Sequence, residues 1–299
     1  MWILIAELLF ASFLAAQGAS GPGASGPAAA APPPPAVPAR HDTRPIYRVE
    51  VVQRTVQAVN YGHRAEPTKV DLKGTVLAPE ARGEAKVESQ RGAVEIDAHM
   101  ERLKDPSTYG REYLTYVLWA ITPEGRPSNL GEVVLDSANK AHVKVSAPFQ
   151  AFALIVTAEP YFAVTQPSDV VVMENVIRPD TIGKVEEVTA KYELLPRGRY
   201  TYTEPAPGVS PLAGAQKVSM DQYEAIAALY QALNAIQIAR AAGADQQAAD
   251  TMQKATQLYE NARELQAKGD QSRQVVTLAR QAAQTAEDAR AITARRGEH

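Results

Sequence analysis

The sequence predicts an α+β protein with segregated parts, an antiparallel β-sandwich followed by an alanine-rich bundle or hairpin of two or three helices. Between residues 47 and 203, apolar and polar residues alternate with a period of two, which is typical of half-buried strands. From Ser219 onward, apolar residues recur every three or four positions, which is typical of helices. Because no helical pattern separates the strands, we expect antiparallel pairing.

The chain opens with an apolar run from Trp2 to Ala16 that is followed by small residues. Such a run is typical of a secretory signal peptide and is shorter than the roughly 20 residues that span a bilayer. We therefore expect residues 1–18 to be a Sec signal peptide, with no transmembrane span after its cleavage. Because Glu7 interrupts the run and no Lys or Arg precedes it, an uncleaved anchor and an ordinary buried helix are the alternatives.

Residues 19–45 consist largely of Gly, Ala and Pro and include Pro32 to Pro35. Such a segment buries too little apolar area to offset the entropy of ordering it. We expect a disordered spacer that holds the folded part away from a membrane or translocation site.

Composition excludes several functional classes. The net charge of −3 gives no basic excess with which to bind nucleic acid. The absence of cysteine excludes disulfides, thiol nucleophiles, cysteine-ligated zinc and a lipid-modified N-terminal cysteine.

Residues 46–203 carry the strand pattern of the expected Ig-like sandwich. In Thr68–Val76 and in the runs on either side of Gln90–Gly92, apolar residues alternate with charged ones, and Gly92 suits a hairpin. Tyr113–Ile121 is apolar on both faces, which predicts a central strand covered on both sides. Further strands are predicted at Glu132–Leu135, His142–Val145, Ala151–Thr157 and Val170–Val176, with edge strands at Tyr47–Val59 and Lys184–Tyr192.

A linker is predicted at residues 204–218, and a helical domain at 219–296. Ser219 and Gln222 form a capping-box pattern, Gly243 and Gly269 interrupt the helical period, and Asp245 is expected to cap the second helix. The tyrosines expected at core positions are Tyr223, Tyr230 and Tyr259.

The helical domain contains 21 Ala between Met220 and Arg296. Because Ala buries little area, we expect the bundle to gain contacts from the sandwich, a second copy or a partner helix. The change of hydrophobic period also predicts two separately folded bodies whose buried faces leave no polar pocket for catalysis.

The sequence predicts no catalytic, cofactor-binding or metal-binding residue and therefore no enzyme. The histidines show no HxH or HExxH spacing; they are His41, His63, His99, His142 and His299. Glu95, Asp97 and Glu101 can share one strand face, where alternating acidic residues are usually only solvated. The chain also lacks a GxSxG motif, a P-loop and a GxGxxG turn after a strand.

Two stretches of the strand region carry a family resemblance: YLTYVLWAITPEGRPSNLGEVV (113–134) and FQAFALIVTAEPYFAVTQPSDVVVMENVIRPDTIGKVEEV (149–188). They resemble the N-terminal region of OmpA-family envelope proteins of acidobacterial type. RAAGADQQAADTMQKATQLYENA (240–262) and RQAAQTAEDAR (280–290) resemble the helical domain that often precedes the peptidoglycan-binding OmpA domain in those proteins.

The resemblance spans roughly residues 47–296 and implies a location in the cell envelope. The C-terminal OmpA domain has no counterpart in these 299 residues, so no position takes over its peptidoglycan-binding role. Peptidoglycan is therefore expected only as an indirect partner.

Together these observations predict an exported periplasmic or outer-membrane-associated protein without catalytic activity. It is expected to act as a structural or adaptor module that binds other envelope proteins, or itself, through the helical domain. The alternative is a periplasmic glycan- or peptide-binding sandwich that uses Tyr109 and the loops Lys104–Arg111 and Pro123–Leu130. A third hypothesis is an extracytoplasmic sensor domain, because a Y-x-L-W motif followed by P-x-G also resembles anti-sigma-factor sandwich domains.

Overall fold

A computed structural model describes residues 52–62, 67–90, 92–178, 188–194, 219–269 and 272–297. All of these residues fall in one compact unit. The predicted signal peptide (1–18), spacer (19–45) and linker (204–218) lie outside the described residues and stay predictions.

The described residues contain ten strands, and every pair of neighbouring strands is antiparallel. They are β1 (Val52–Asn60), β2 (Thr68–Gly74), β3 (Arg82–Gln90), β4 (Ala93–Glu101), β5 (Thr115–Ile121), β6 (Pro127–Val133), β7 (Lys140–Ala147), β8 (Ala151–Glu159), β9 (Val171–Val176) and β10 (Val188–Leu194). The sheet order is β10-β1-β8-β9-β2-β3-β4-β7, and β5 pairs with β8 and β6 beside this path. The predicted antiparallel region is confirmed.

The alternating patterns form strands with one buried face. In β2, Val70 and Leu72 are buried whereas Lys69 and Asp71 are exposed. Gly92 follows β3 and has φ 86°, a left-handed conformation that glycine adopts without a Cβ clash. The predicted β3–β4 hairpin is therefore present, with nine residue pairs in register.

Strand β5 separates two hydrophobic clusters. All of its residues are buried, as predicted for a strand covered on both sides. Tyr116 and Leu118 join inward residues of β2, β3, β4 and β7 in one cluster. Trp119 and Ile121, on the other face, join a second cluster with residues of the helical region.

The helical region comprises α1 (Met220–Ala241), the short α2 (Ala244–Gln247), α3 (Ala249–Lys268) and α4 (Ser272–Gly297). The predicted capping box opens α1: the Gln222 amide donates to Ser219 Oγ at 3.3 Å, and the Ser219 amide donates to Gln222 Oε1 at 3.0 Å. Gly243 and Gly269 end α1 and α3 with φ of 91° and 88°. None of the described helices is long and apolar enough to cross a membrane.

Two local helix predictions are wrong. Asp245 does not cap the second long helix, because the separate α2 intervenes and α3 begins after Ala248 without a side-chain cap. The core prediction for the tyrosines fails for Tyr223, which is 44% exposed, and Tyr230 is only partly buried. Tyr259 is also partly buried but packs against the cluster that contains Trp119, as predicted. In α1 the buried stripe consists mainly of Ala, because these small side chains let α1 pack closely on its neighbours.

The helices and the sheet share one core, so the expectation of two separately folded bodies does not hold. One cluster contains Trp119 and Ile155 of the sheet together with Ala232 of α1 and Ala283 of α4. Hydrogen bonds also cross this boundary: the Phe162 amide donates to Gln231 Oε1 at 2.8 Å. The sheet therefore supplies the buried area that the Ala-rich helices lack.

Candidate functional site

The outer face of β4 and β7 concentrates polar side chains in the sheet. The outward residues are Glu95, Asp97, His99 and Glu101 on β4, and Lys140, His142 and Lys144 on β7. They point outward because the residues between them are buried in the sheet core. The register places His99 directly opposite His142 and Asp97 opposite Lys144.

Asp97, His99 and His142 form a compact group, which we call the histidine–aspartate cluster. Nε2 of His142 lies 2.8 Å from Asp97 Oδ1, and Nε2 of His99 lies 3.1 Å from the same oxygen. The two imidazole rings stack, with centroids 4.1 Å apart and planes 6° apart. One ligand atom from each residue lies within 4.8 Å of the others. The cluster therefore presents two imidazole nitrogens and a carboxylate at one point of the surface.

The Asp97 carboxylate interacts mainly with the two histidines, because the nearby Lys144 ammonium pairs with Glu95. The hydrogen bond with His142, aided by nearby positive charges, holds the pKa of the Asp97 carboxyl below its usual value. Lys144 lies opposite Asp97 in the register, but its ammonium contacts Glu95 at 2.5 Å. The Asp97 carboxylate is thus ionised at neutral pH, and its closest side-chain contacts are the two imidazoles.

A groove of about 940 Å³ runs beside the cluster, and we call it the outer-face groove. His99 and His142 line it together with Asp71, Leu72, Lys73, Arg82, Gly83, Glu84, Met100, Glu101, Val134, Asp136, Lys140, Ala141 and Val176. Its walls carry charges of both signs, and two of them, Arg82 and Glu101, form an ion pair at the surface. Pairs of this kind stabilise the fold little and can exchange partners readily.

Gly83 permits the close pairing of β3 and β4 below the groove. A Cβ atom at this position would lie 2.3 Å from the backbone carbonyl oxygen of His99. Any other residue would therefore push the two strands apart next to the histidine–aspartate cluster.

A second polar group, the interface network, lies between the sheet and α4. Glu287 of α4 is fully buried. Its carboxylate accepts hydrogen bonds from the Tyr161 hydroxyl at 2.5 Å and the Thr165 amide at 3.0 Å. It also accepts hydrogen bonds from Nε and one Nη nitrogen of Arg290, each at 2.7 Å. A buried carboxylate with this many donors locks α4 onto the loop after β8.

Glu159, at the end of β8, is a different buried carboxyl group. Its Oε1 accepts hydrogen bonds from the Thr157 hydroxyl at 2.5 Å and the Ser168 amide at 2.7 Å, whereas its buried Oε2 has no hydrogen-bond partner among the described residues. Burial raises the pKa of Glu159 to about 8, with a smaller contribution from the nearby charge of Glu287. The group is therefore predominantly protonated at pH 7.

A smaller cavity of about 320 Å³ lies between β5, β6, α1 and α4. Glu132 accepts hydrogen bonds there from Thr115 and Gln231, both at 2.8 Å, and pairs with Arg280 at 2.6 Å. The Arg280 guanidinium also lies 3.9 Å from the ring centroid of Phe162, a cation–π geometry. These contacts join the helices to the sheet, which is a structural role.

The two loops of the sequence-based ligand-site hypothesis do not converge. Lys104–Arg111 precedes β5 and includes a short 3-10 helix from Pro106 to Tyr109, whereas Pro123 lies in the turn after β5. The loops thus lie at opposite ends of a seven-residue strand, roughly 20 Å apart. Tyr109 instead donates a long hydrogen bond of 3.4 Å to the Leu77 carbonyl.

Sequence analysis found no metal-ligand spacing among the histidines and missed the contact between His99 and His142. It also missed the interface network. A detectable signal for that network was an acidic residue, Glu287, inside the Ala stripe of α4 and three residues before Arg290.

Comparison with family models and with curated proteins gives no relative from which function can be transferred. No protein-family model matches the chain, and no curated protein matches it significantly. The resemblance to OmpA-family envelope proteins therefore stays a prediction, and the functional argument depends on the geometry described above.

Proposed function

We propose that this protein is an exported cell-envelope module that binds partner proteins through the outer-face groove and has no catalytic activity. The observation that carries the proposal is the groove itself, which is about 940 Å³ in volume and lined by mixed charges. The apolar N-terminal run and the resemblance to envelope proteins support the export and the location.

Exposed apolar side chains at the groove support a protein partner. Val134 is 64% exposed and Val176 is 41% exposed, and both line the groove. An apolar anchor surrounded by charged residues is the usual composition of a protein-binding surface. A partner that covers these two valines would remove apolar area from water, and the surrounding charges would set its orientation.

The binding surface proposed here differs from the helical one expected from sequence. The apolar stripes of α3 and α4 are already covered within the shared core, for example at Ala255 and Ala279. They have little apolar area left to offer a second copy or a partner helix. The sheet groove is the better candidate for contact with other envelope proteins.

Site-specific photo-crosslinking in native envelopes tests this proposal. A photoreactive phenylalanine analogue would replace Val134 or Val176 in the groove, with Val76 as the matched control. Val76 is 91% exposed but does not line the groove. We expect the same protein adduct from both groove positions and none from position 76. Equal labelling at all three positions, or no adduct from the groove, contradicts the proposal.

A glycan or peptide ligand is the second candidate, and the groove volume favours it. Small-ligand sites commonly measure about 300–1,000 Å³, and charged groups such as Arg82 and Glu101 can bond polar ligands. A glycan array and a peptidoglycan pull-down with the purified chain separate the two candidates. Saturable glycan binding that is lost in Arg82→Ala would favour this second function.

The absence of catalysis is part of the proposal. Glu159 and Glu287 are fully buried between sheet and helices, where a substrate has no access. Glu287 holds α4 against the loop after β8, whereas Glu159 bonds to Thr157 and Ser168 within the strand region. Mass spectrometry of the mature N-terminus tests the export proposal, which predicts cleavage near residue 18.

We also propose that the sheet is an Ig-like sandwich. The proposal is supported by the inward residues of β2, β3, β4 and β7, which face those of β5 and β8 across one cluster. An experimental structure in which these strands close into a barrel, with no two layers packed face to face, would contradict it.

A further inference from the structure

We propose that Asp97, His99 and His142 bind a divalent first-row transition-metal ion, with Zn²⁺ as the reference ion. This site is independent of the partner-binding proposal, although it lies at the edge of the same groove. His142 is distant in sequence from Asp97 and His99, because it lies on β7 and they lie on β4, but the three residues meet in the folded sheet. Residues from two strands place two imidazole nitrogens within 3.1 Å of one carboxylate oxygen.

The ligand set matches transition-metal chemistry. Imidazole nitrogens suit Zn²⁺, Cu²⁺, Ni²⁺ and Fe²⁺, whereas Mg²⁺ and Ca²⁺ prefer sites made wholly of oxygen. Two histidines and one carboxylate on a single face also leave coordination positions open for water or a ligand group. The cluster therefore favours a transition metal over an alkaline-earth ion.

The separations between the Asp97 carboxylate and the two imidazole nitrogens are close to those of a tetrahedral metal site. With metal–ligand bonds of about 2.0–2.1 Å, tetrahedral ligand atoms lie about 3.3 Å apart. The observed separations from Asp97 Oδ1 are 2.8 Å to His142 and 3.1 Å to His99. Because the two rings stack with planes 6° apart, one ion cannot lie in both ring planes, so at least one imidazole must rotate to point its nitrogen lone pair at the ion. The two imidazole side chains are 56% and 66% exposed, which leaves room for that rotation.

The strands hold the ligands at this spacing. Asp97 and His99 share the outer face of β4 because they are two residues apart. His142 is fixed opposite His99 by a β4–β7 register that runs through eight residue pairs. The backbone of the site is therefore formed before a metal arrives, which limits the ordering cost of binding.

The alternative explanation is a solvated ion pair between Asp97 and a protonated histidine, with no metal. Zinc titration by isothermal calorimetry distinguishes the two. The experiment uses the metal-free full chain without a polyhistidine tag. The variants are His99→Gln, His142→Gln and Asp97→Asn. The matched control is Glu95→Gln, which removes one carboxylate from the same face of β4.

We expect one zinc ion per chain and at least about a tenfold loss of affinity in each ligand variant, because even outer-shell partners of metal ligands are worth 10–100-fold. Glu95→Gln should bind zinc within about twofold of the wild type. X-ray absorption of the zinc complex should show scattering from two imidazoles. Undetectable zinc binding, wild-type affinity in His142→Gln, or an equal loss in Glu95→Gln would each overturn the proposal.

Discussion

Replacing Glu159 by Gln should make the protein more stable at alkaline pH than the wild type. Glu159 is fully buried, and its carboxyl pKa is raised from 4.5 to about 8. Gln has nearly the same shape as the protonated carboxyl group and keeps an oxygen that accepts from Thr157 and Ser168. The substitution therefore removes the ionisation and keeps the two observed hydrogen bonds.

The sign follows from proton binding in the two states. Below pH 4.5 the group is protonated in both the folded and the unfolded chain, so burial carries no ionisation cost. Between pH 4.5 and about 8 the unfolded chain loses its proton while the folded chain keeps it, so the free energy of unfolding falls as pH rises. At about 1.4 kcal/mol per pH unit, this interval corresponds to roughly 5 kcal/mol. Above pH 8 the cost stays constant.

Urea unfolding followed by circular dichroism at pH 5, 6, 7, 8 and 9 measures this effect. Wild type should lose several kcal/mol relative to Glu159→Gln between pH 5 and pH 8, on the scale of the roughly 5 kcal/mol above. Glu80→Gln, at an exposed carboxylate, is the control and should follow the wild type at every pH. A difference between Glu159→Gln and wild type that does not change from pH 5 to pH 8 would refute the reasoning.

Three further substitutions test the core and the turns by urea unfolding. Glu287→Ala leaves Tyr161 and Arg290 without their shared acceptor and should cost about 3–5 kcal/mol; a cost no larger than that of the adjacent, exposed Asp288→Ala would contradict the network. Ala283→Leu overfills the helix–sheet core and should cost about 1–3 kcal/mol, whereas exposed Ala294→Leu should be neutral; equal effects would contradict the close helix contact. Gly92→Ala should cost about 1–2 kcal/mol through its φ of 86° alone, since no described residue beyond its chain neighbours has an atom within 4 Å of the new Cβ. An unchanged stability would contradict that conformation.

Local patterns were sufficient to predict most elements. The segment around Trp119 is apolar on both faces, which indicated a strand buried on both sides, and every residue of β5 is buried. Ser219 and Gln222 indicated the start of α1, because a capping box depends only on residues three apart. These features are local, so a single sequence contains the information they need.

The shared core could not be predicted in the same way. An apolar face indicates that another element packs against it. Which element does so depends on how distant segments of the chain pair, and local patterns do not contain that information. The sequence placed Tyr223 in the core of α1, whereas the buried stripe runs through Ala225 and Ala232. Both stripes have helical spacing, and contact with α4 selects the smaller side chains because the axes can then approach more closely.

The histidine–aspartate cluster was half visible in the sequence. Asp97 and His99 share a strand face by simple alternation. His142 joins them only because β7 lies beside β4, although β5 and β6 lie between the two strands in the chain. Metal-ligand motifs search for short spacings, so a site completed by strand pairing escapes them.

The central claim is that the sheet and the helices share one core and unfold together. In the full chain with Trp2→Phe, Trp119 is the remaining tryptophan and lies in the helix–sheet cluster. Its fluorescence reports that cluster, while circular dichroism at 222 nm reports mainly the helices. We expect both signals to give the same urea midpoint, and Glu287→Ala to lower the two midpoints equally. A helical transition separated from the Trp119 transition would show two independent bodies and contradict the claim.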